Sequence, residues 1–284
     1  MKLKTIFILF NVIVVTTFLV VFLMPLFFLG IEFTTIFWRG NWYLVVLFVL
    51  VLAVLNTYFG LNWSLFNALE REDWRQVASV MERRIRDRGR FSDSNIRLLV
   101  NAYVVSSQPD RIRDMEQYLR ERKPAILRRH ALRFGIPHLL SNDGAEIERY
   151  FREFRSGELP DRSSDGSRGD TLRRLFGGGA PQDARYWIEW CYAFGLMLQG
   201  RVEEGRAILR LIVDTSPRGV VHGVALYLME PNREEDSDVE ERRRAFVDKL
   251  PSATWQKTVE RERSELHVLV LSKLLLDVEK WLYR

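Results

Sequence analysis

The residues from Tyr186 to Pro217 read YWIEWCYAFGLMLQGRVEEGRAILRLIVDTSP, and this stretch decides the fold of the soluble part of the chain. Apolar side chains recur three and four residues apart on both sides of Gly200, which is the pattern of two amphipathic helices. Glycine tolerates the backbone of a tight turn, so Gly200 predicts the turn between them. Pro217 cannot continue a helix and predicts the end of the second one. The stretch therefore predicts an antiparallel helical hairpin.

The small and bulky residues of this hairpin resemble a tetratricopeptide repeat. In that family, a small residue in the middle of each helix lets the two helices approach closely, and a bulky residue fills the space beside them. The resemblance makes Ala193, after Tyr192, and Gly205 the small pair and Leu209 the bulky residue. The tryptophan that the family carries early in the first helix is replaced here by Glu189. The resemblance implies a non-catalytic domain that binds a peptide, a helix or another protein.

Weaker copies of the same pattern occur upstream. Leu65, Leu99 and Phe134 begin them at spacings of 34 and 35 residues, close to the 34-residue period of the family. The alternative is a non-repetitive helical bundle in which these spacings arise by chance. The predicted repeat-packing residues are Leu99, Tyr103, Phe134, Gly135, Phe151, Tyr192, Ala193, Gly200, Gly205, Leu209 and Pro217.

The rest of the soluble part has the same helical periodicity and no alternating run typical of a strand. Residues 157–181 are rich in Gly, Ser, Asp and Pro and predict a flexible linker between repeats in 61–156 and a repeat with capping helices in 182–284. The predicted helices cover about 63–72, 74–88, 93–107, 110–122, 124–140, 144–156, 182–199, 201–215, 218–229, 235–249 and 252–283. The predicted fold class is therefore all-α, with a soluble α-solenoid of antiparallel helical hairpins.

Residues 1–60 predict two transmembrane helices, over about 5–29 and 42–60. Thr5 to Leu29 contains 25 residues without a charge, enough for a helix to cross a hydrocarbon core of roughly 30 Å. The second run is bordered by aromatic side chains, which prefer the lipid–water interface. A short connector, Gly30 to Asn41, joins the runs into a hairpin. A cleaved signal peptide is the alternative for the first run, although its apolar part exceeds the usual length and no small-x-small site follows.

Basic residues near the two spans predict the orientation. Lys2 and Lys4 precede the first span, Arg39 alone lies between the spans, and arginines 71, 75, 83 and 84 follow the second. Both termini are therefore expected in the cytoplasm, with the protein in the plasma (inner) membrane of a bacterium. Residues 61–135 carry 16 basic and 10 acidic side chains, so the excess positive charge lies near the membrane, where anionic lipids attract it.

Several classes of function lack their usual signals in this sequence. Residues 61–284 hold 39 basic and 36 acidic side chains, so the pI near 9.4 does not reflect the one-sided field of a nucleic-acid-binding protein. The single cysteine, Cys191, excludes an intramolecular disulfide and a cysteine-based zinc site. No two histidines have metal-ligand spacing, and no nucleophile elbow or dinucleotide motif occurs. We therefore expect no enzymatic activity, no cofactor, no metal and no small-molecule substrate.

The expected function is a membrane-anchored scaffold for protein–protein interaction, with a protein or peptide partner on the repeat surface and lipids around residues 1–60. The alternative is a structural subunit of a multi-protein inner-membrane complex in transport, secretion or envelope assembly. Two alternatives also remain for the C-terminal helix, 252–283. It either caps the end of the solenoid or lies on the membrane surface, and its apolar run, interrupted by Lys273, is too short for a third span.

Overall fold

A computed structural model describes residues 3–155, 183–230, 237–263 and 265–284, and this part of the chain is all-helical without a strand. The chain divides into two compact units, Met1–Arg90 and Phe91–Arg284. The predicted linker, 157–181, falls almost entirely outside the described residues. The helices on its two sides belong to the same unit.

The first unit begins with one long element, α1 (Leu3–Glu70), that is broken at Gly30. Gly30 has φ 80° and ψ 175°, a backbone that glycine adopts without the strain of a Cβ. The two arms of α1 run antiparallel on either side of it. The side chains that pair across the arms are Phe7 with Phe59, Phe18 with Phe48, Phe22 with Trp38, and Asn56 with Asn11 through a hydrogen bond of 2.9 Å.

The prediction of a connector from Gly30 to Asn41 was wrong. The chain reverses at Gly30 alone, and the residues after it are helical and pair with the first arm. The predicted separate helix over 63–72 is likewise the end of α1. A single glycine with positive φ is enough to reverse the chain, and no proline follows to interrupt the second arm.

The second helix, α2 (Trp74–Arg86), packs against the end of α1. The side chain of Asp73 caps it by accepting a hydrogen bond of 3.0 Å from the amide of Gln76. Its apolar face is buried together with Leu65 and Ala68 of α1. The first unit is therefore a long helical hairpin followed by one short returning helix.

The second unit contains thirteen described helices. Those before the predicted linker are α3 (Asp93–Val105), α4 (Pro109–Arg122), α5 (Pro124–Arg129), α6 (Ala131–Phe134), α7 (Ile136–Ser141) and α8 (Gly144–Phe154). Those after it are α9 (Asp183–Leu198), α10 (Val202–Thr215), α11 (Val220–Met229), α12 (Ser237–Lys249), α13 (Ser252–Glu262), α14 (Leu266–Val270) and α15 (Ser272–Leu282). Helices α8 to α11 pack in succession. The largest fully buried side chains include Trp187, Trp190, Trp255, Phe134, Phe151 and Phe246.

Two long predicted helices are divided in the structure. The segment 124–140 forms α5, α6 and α7, and Pro137, which has no amide to donate, lies in the first turn of α7. The segment 252–283 forms α13, α14 and α15. Leu266, His267 and Val268 of α14 are all buried, so this short helix is covered on more than one side. The apolar period of the sequence did not indicate either set of boundaries.

Candidate functional site

The predicted hairpin around Gly200 corresponds to α9 and α10. Gly200 has φ +79° at the turn, and Ala193, Gly205 and Leu209 are buried. A Cβ atom added at Gly205 would lie 3.1 Å from the carbonyl oxygen of Ala193. Pro217 is exposed and follows the end of α10 at Thr215. The structure therefore brings Ala193 and Gly205 together across the two helices.

The upstream predicted residues lie in several helices. Leu99 and Tyr103 are buried on α3. Phe134 ends α6, and Gly135, which follows it, contacts the ring of Phe151 in α8. Tyr192 of α9 is buried, and the guanidinium of Arg155 lies over its ring, 4.1 Å from the ring centroid.

A close helix approach in the second unit joins α8 and α9, and sequence reasoning missed it. A Cβ atom at Gly144 would lie 2.7 Å from the carbonyl oxygen of Gly195, and one at Gly195 would lie 2.8 Å from the amide nitrogen of Glu148. Real Cβ atoms do not approach backbone atoms this closely, so both positions require glycine. Gly195 inside a predicted helix was the available signal, since such a glycine often has a packing reason; Gly144 begins its helix and gave no such signal.

A buried carboxylate lies beside this contact. Glu148 of α8 is 5% exposed and accepts hydrogen bonds of 2.9 Å from both Gln199 and Arg201, with a further bond from Arg152. Burial alone raises the pKa of this carboxyl, but the bonds from Gln199, Arg152 and Arg201 outweigh burial and hold its pKa below the ordinary value. Glu148 is therefore an ionised link between α8 and the turn that joins α9 to α10.

A second polar cluster joins α4, α7 and α8. His138 lies 2.7 Å from the carboxylate of Glu146 through Nδ1 and 3.1 Å from that of Glu116 through Nε2, and its ring stacks on Tyr150. Arg113 pairs with Glu146 at 3.0 Å. His138 therefore lies between two carboxylates, one at each ring nitrogen, and connects α7 with α4 and α8.

Two further titratable side chains of the second unit, Cys191 and Tyr150, are buried. The one cysteine, Cys191, is fully buried, and burial raises the pKa of its thiol well above the ordinary value, so it is a poor nucleophile. Tyr150 is also buried, which raises the pKa of its hydroxyl, and that hydroxyl donates to the carbonyl of Ala131 at 2.9 Å. Among the residues that the structure describes, no group of three or more His, Cys, Asp and Glu side chains is arranged to hold a metal ion.

An exposed leucine lies beside the α8–α9 contact, and a second precedes that contact in the chain. Leu198 ends α9, and its Cβ lies 2.9 Å from the position of a Cβ at Gly144. Leu140 lies in α7, shortly before Gly144 in the sequence. Leu198 is 42% exposed and Leu140 is 54% exposed. Arg201 follows Leu198 closely in the sequence, and it forms an ion pair with Glu148 of the neighbouring helix α8. We call Leu140, Leu198, Glu148 and Arg201 the α8–α9 corner. An exposed apolar side chain close to charges that already pair with one another is typical of the border between the centre and the rim of a protein interface.

Comparison with known proteins gives two matches. A family model described as "uncharacterised Treponema protein" matches residues 111–163 and 174–284. A protein of Treponema pallidum (strain Nichols), described as "Uncharacterized protein", is 22% identical over an alignment of 303 positions, which covers all of this chain and 88% of the relative. No solved structure matches the chain. None of these comparisons identifies a tetratricopeptide repeat, so that resemblance stays a prediction.

Proposed function

We propose a function from the geometry, because the chain belongs to the family described as uncharacterised Treponema protein and that description states no activity. The protein is a membrane-anchored, non-catalytic scaffold that binds another protein or a peptide through its helical second unit. The observation that carries the proposal is the α8–α9 corner, where the exposed Leu198 ends α9 close to the ion pair of Arg201 with Glu148.

The arms of α1 form the anchor. Both contain a window long and apolar enough to cross a membrane, and none of the residues in these windows is buried within the protein. Exposing this much apolar surface to water is costly, and lipid removes the cost. The contact between Asn56 and Asn11 supports retention of the first arm rather than its cleavage as a signal peptide. We propose that both termini lie in the cytoplasm, next to the inner membrane.

The second unit carries the binding surface. We propose that α9 and α10 form a divergent tetratricopeptide-like hairpin and that the helices before them extend it as a solenoid. The contact of Gly205 with Ala193 supports this interpretation. The buried state of Cys191 and the closed ion pairs around Glu148 and His138 support a non-catalytic role, without a cofactor, a nucleic acid or a small-molecule substrate.

Site-specific photo-crosslinking in native membranes tests the scaffold role. A photoreactive residue replaces Leu198 in the full-length protein, and a matched control replaces Leu276 of α15, which is 58% exposed. We expect a discrete adduct of higher mass at position 198 only, and its loss when Leu140→Ser is added. Equal adducts at both positions, or none at position 198, would contradict the proposed surface.

A second candidate function is a structural subunit of an inner-membrane complex, and one observation favours it. An apolar groove on the first arm is lined by Leu19, Leu23, Phe27, Phe28 and their neighbours, and Phe27 and Phe28 are more than three-quarters exposed. A transmembrane helix of a partner fits such a surface. Phe27→Ala with Phe28→Ala should release co-purifying membrane proteins, whereas Val49→Ala with Val51→Ala on the second arm should not. Retention of all partners in the phenylalanine variant would exclude this role for the groove.

A further inference from the structure

Helix α2 returns to the end of the apolar part of α1. At one end of the α1–α2 pair, the amide of Asp73 donates to the carbonyl of Ala68 at 2.9 Å. At the other end, Nη2 of Arg84 donates to Oδ1 of Asn62 at 2.8 Å. The two helices are therefore antiparallel, and the C-terminus of α2 lies level with Asn62.

Asn62 marks a membrane boundary if α1 spans the bilayer. The uncharged run from Trp42 to Trp63 is about 32 Å long as a helix, which is close to the thickness of the hydrocarbon core. Tyr58 and Trp63 at this end are aromatic side chains of the kind found at the lipid–water interface. The C-terminal end of α2 is therefore held at the depth of the lipid headgroups.

Three arginines meet at this end. Gly89 has φ +59°, and the chain turns there so that the amide of Arg90 donates to the carbonyl of Arg84 at 3.1 Å. Burial, and then repulsion from Arg88 and from Arg90, lowers the pKa of the Arg84 guanidinium. Arg88 is exposed. We call Arg84, Arg88 and Arg90 the basic turn.

Carboxylates of the first unit leave most of this charge uncompensated. Glu82 pairs with Arg86 at 3.0 Å, and Asp87 is the acidic residue of the turn itself. Within the described part of this unit, neither Arg84 nor Arg88 forms an ion pair with a carboxylate. Concentrated positive charge at headgroup depth requires a negative counterpart.

We propose that the basic turn binds the phosphate of an anionic phospholipid headgroup. A guanidinium presents a planar pair of N–H donors that match two phosphate oxygens, and the hydrogen bond to Asn62 orients that of Arg84. The headgroup phosphate of a lipid in the same leaflet lies at the depth where α2 ends. The inference rests on the membrane hairpin of the proposed function and is independent of the scaffold role.

The alternative role of these arginines is to stabilise α2 alone, since positive side chains in the last turn of a helix interact favourably with its dipole. That role requires no lipid and no preference for an anionic headgroup. The two roles therefore separate in a lipid-binding measurement, provided that the stability of each variant is measured in parallel.

The test uses the full-length protein in non-ionic detergent micelles, titrated with phosphatidylglycerol or phosphatidylcholine and followed by native mass spectrometry. The variant is Arg84→Gln with Arg88→Gln. The matched control is Arg71→Gln with Arg75→Gln, which removes the same charge from the opposite end of α2, where both side chains are exposed. We expect the first variant to weaken phosphatidylglycerol binding by about tenfold or more, while the control stays within about twofold of the parent protein.

Three results would overturn the proposal. The first is an equal loss of affinity for phosphatidylglycerol in both variants, and the second is equal binding of the two lipids to the parent protein. The third is displacement of phosphatidylglycerol by an equal concentration of inorganic phosphate, which would indicate a site for the free anion. If Arg84→Gln disturbs the fold, as judged by the thermal midpoint in phosphatidylcholine, Arg88→Gln alone is the deciding variant. Resistance of the native protein to alkaline extraction from membranes is measured separately. If the protein is extracted, the proposed membrane anchor is wrong. If the protein resists extraction but does not prefer phosphatidylglycerol, only the proposed lipid site is wrong.

Discussion

At the scale of single residues, the second unit buries ionisable side chains, among them the carboxylate of Glu148 and the imidazole of His267. A carboxylate taken out of water is strongly destabilising unless donors replace the lost hydration. Glu148 has such donors from Arg152 of α8 and from Gln199 and Arg201 of the turn between α9 and α10. His267, in contrast, is buried in its neutral form. It is 3% exposed, packs edge-on against Trp187, and stays neutral because burial lowers its pKa to about 3.

Replacing Glu148 should destabilise the second unit. Glu148→Ala removes the acceptor that Gln199 and Arg201 share, and we expect a loss of about 2 kcal/mol in the free energy of unfolding. Glu203→Ala is the control, because Glu203 pairs with Arg206 in solvent with its side chain 85% exposed, and such pairs contribute less than about 1 kcal/mol. The thermal midpoint of the full-length protein in detergent measures both. Equal midpoints would show that Glu148 does not link the helices.

Acid should destabilise the protein through its buried histidines. In the unfolded chain His267 takes up a proton near pH 6.5, but in the folded protein only near pH 3. Its contribution to stability is therefore complete above pH 6.5 and is lost as pH falls, by about 1.4 kcal/mol per pH unit. Burial also lowers the pKa of His130, which adds to the loss with the same sign.

His267→Phe should remove the contribution of this one titrating group to the pH dependence of stability. We expect the thermal midpoint of the variant to fall less between pH 7 and pH 5 than the thermal midpoint of the parent protein. This range lies above the pH at which the carboxylates take up protons, so the histidines dominate the change. Parallel pH profiles for the two proteins would mean that His267 is protonated in the folded state or that the unfolded chain does not take up its proton.

At the scale of helices, glycines set the distance between neighbours. Gly144 and Gly195 face backbone atoms, which cannot move without shifting a helix. Gly205 differs, since a Cβ there would first meet Cγ of Met197 at 2.6 Å, and that side chain is flexible. The cost of adding one methyl group therefore depends on what it meets.

This difference predicts an order of stabilities. Gly144→Ala and Gly195→Ala should each lower the free energy of unfolding by about 1–3 kcal/mol, as overpacking does. Gly205→Ala should cost less, because Met197 can adjust and alanine favours the helix by roughly 1 kcal/mol over glycine. Gly219→Ala is the neutral control, since its nearest contacts are 4.0 Å away and its backbone is extended. If Gly205→Ala proved the most damaging of the four in thermal unfolding, α9 and α10 rather than α8 and α9 would form the tighter contact.

At the scale of the whole molecule, the proposed membrane topology depends on the reversal at Gly30. If both arms cross the bilayer, the tip of the hairpin reaches the far side, and the second arm returns the chain to the side of its N-terminus. Cys191 is fully buried, so surface labels report introduced cysteines.

The proposed topology predicts how two such cysteines react. In a Cys191→Ser background, Glu32→Cys lies two residues past the tip, and Ala253→Cys is exposed on α13. An impermeant maleimide should label position 32 in intact cells and position 253 only after lysis. Labelling of position 253 in intact cells would reverse the orientation, and a purified protein lacking residues 1–29 would mean that the first arm is a cleaved signal.

Features that depend on neighbouring residues along the chain were predictable from the sequence. The all-helical fold follows from a three- and four-residue apolar period, the two long apolar N-terminal helices from uninterrupted runs, and the α9–α10 turn from Gly200. Each is a local property, because hydrogen bonds and side-chain neighbours in a helix lie within four residues.

Only the tertiary structure decided the features that join distant parts of the chain. The contact of Gly144 with Gly195 and the bonds of Arg201 and Gln199 to Glu148 each connect residues about 50 apart in sequence. The division of 252–283 into α13, α14 and α15 is not marked in the apolar period of the sequence. The position of Arg84 beside Asn62 depends on the packing of α2 on α1. Such contacts depend on which helix faces meet, and a local apolar period specifies that a face is buried without specifying its partner.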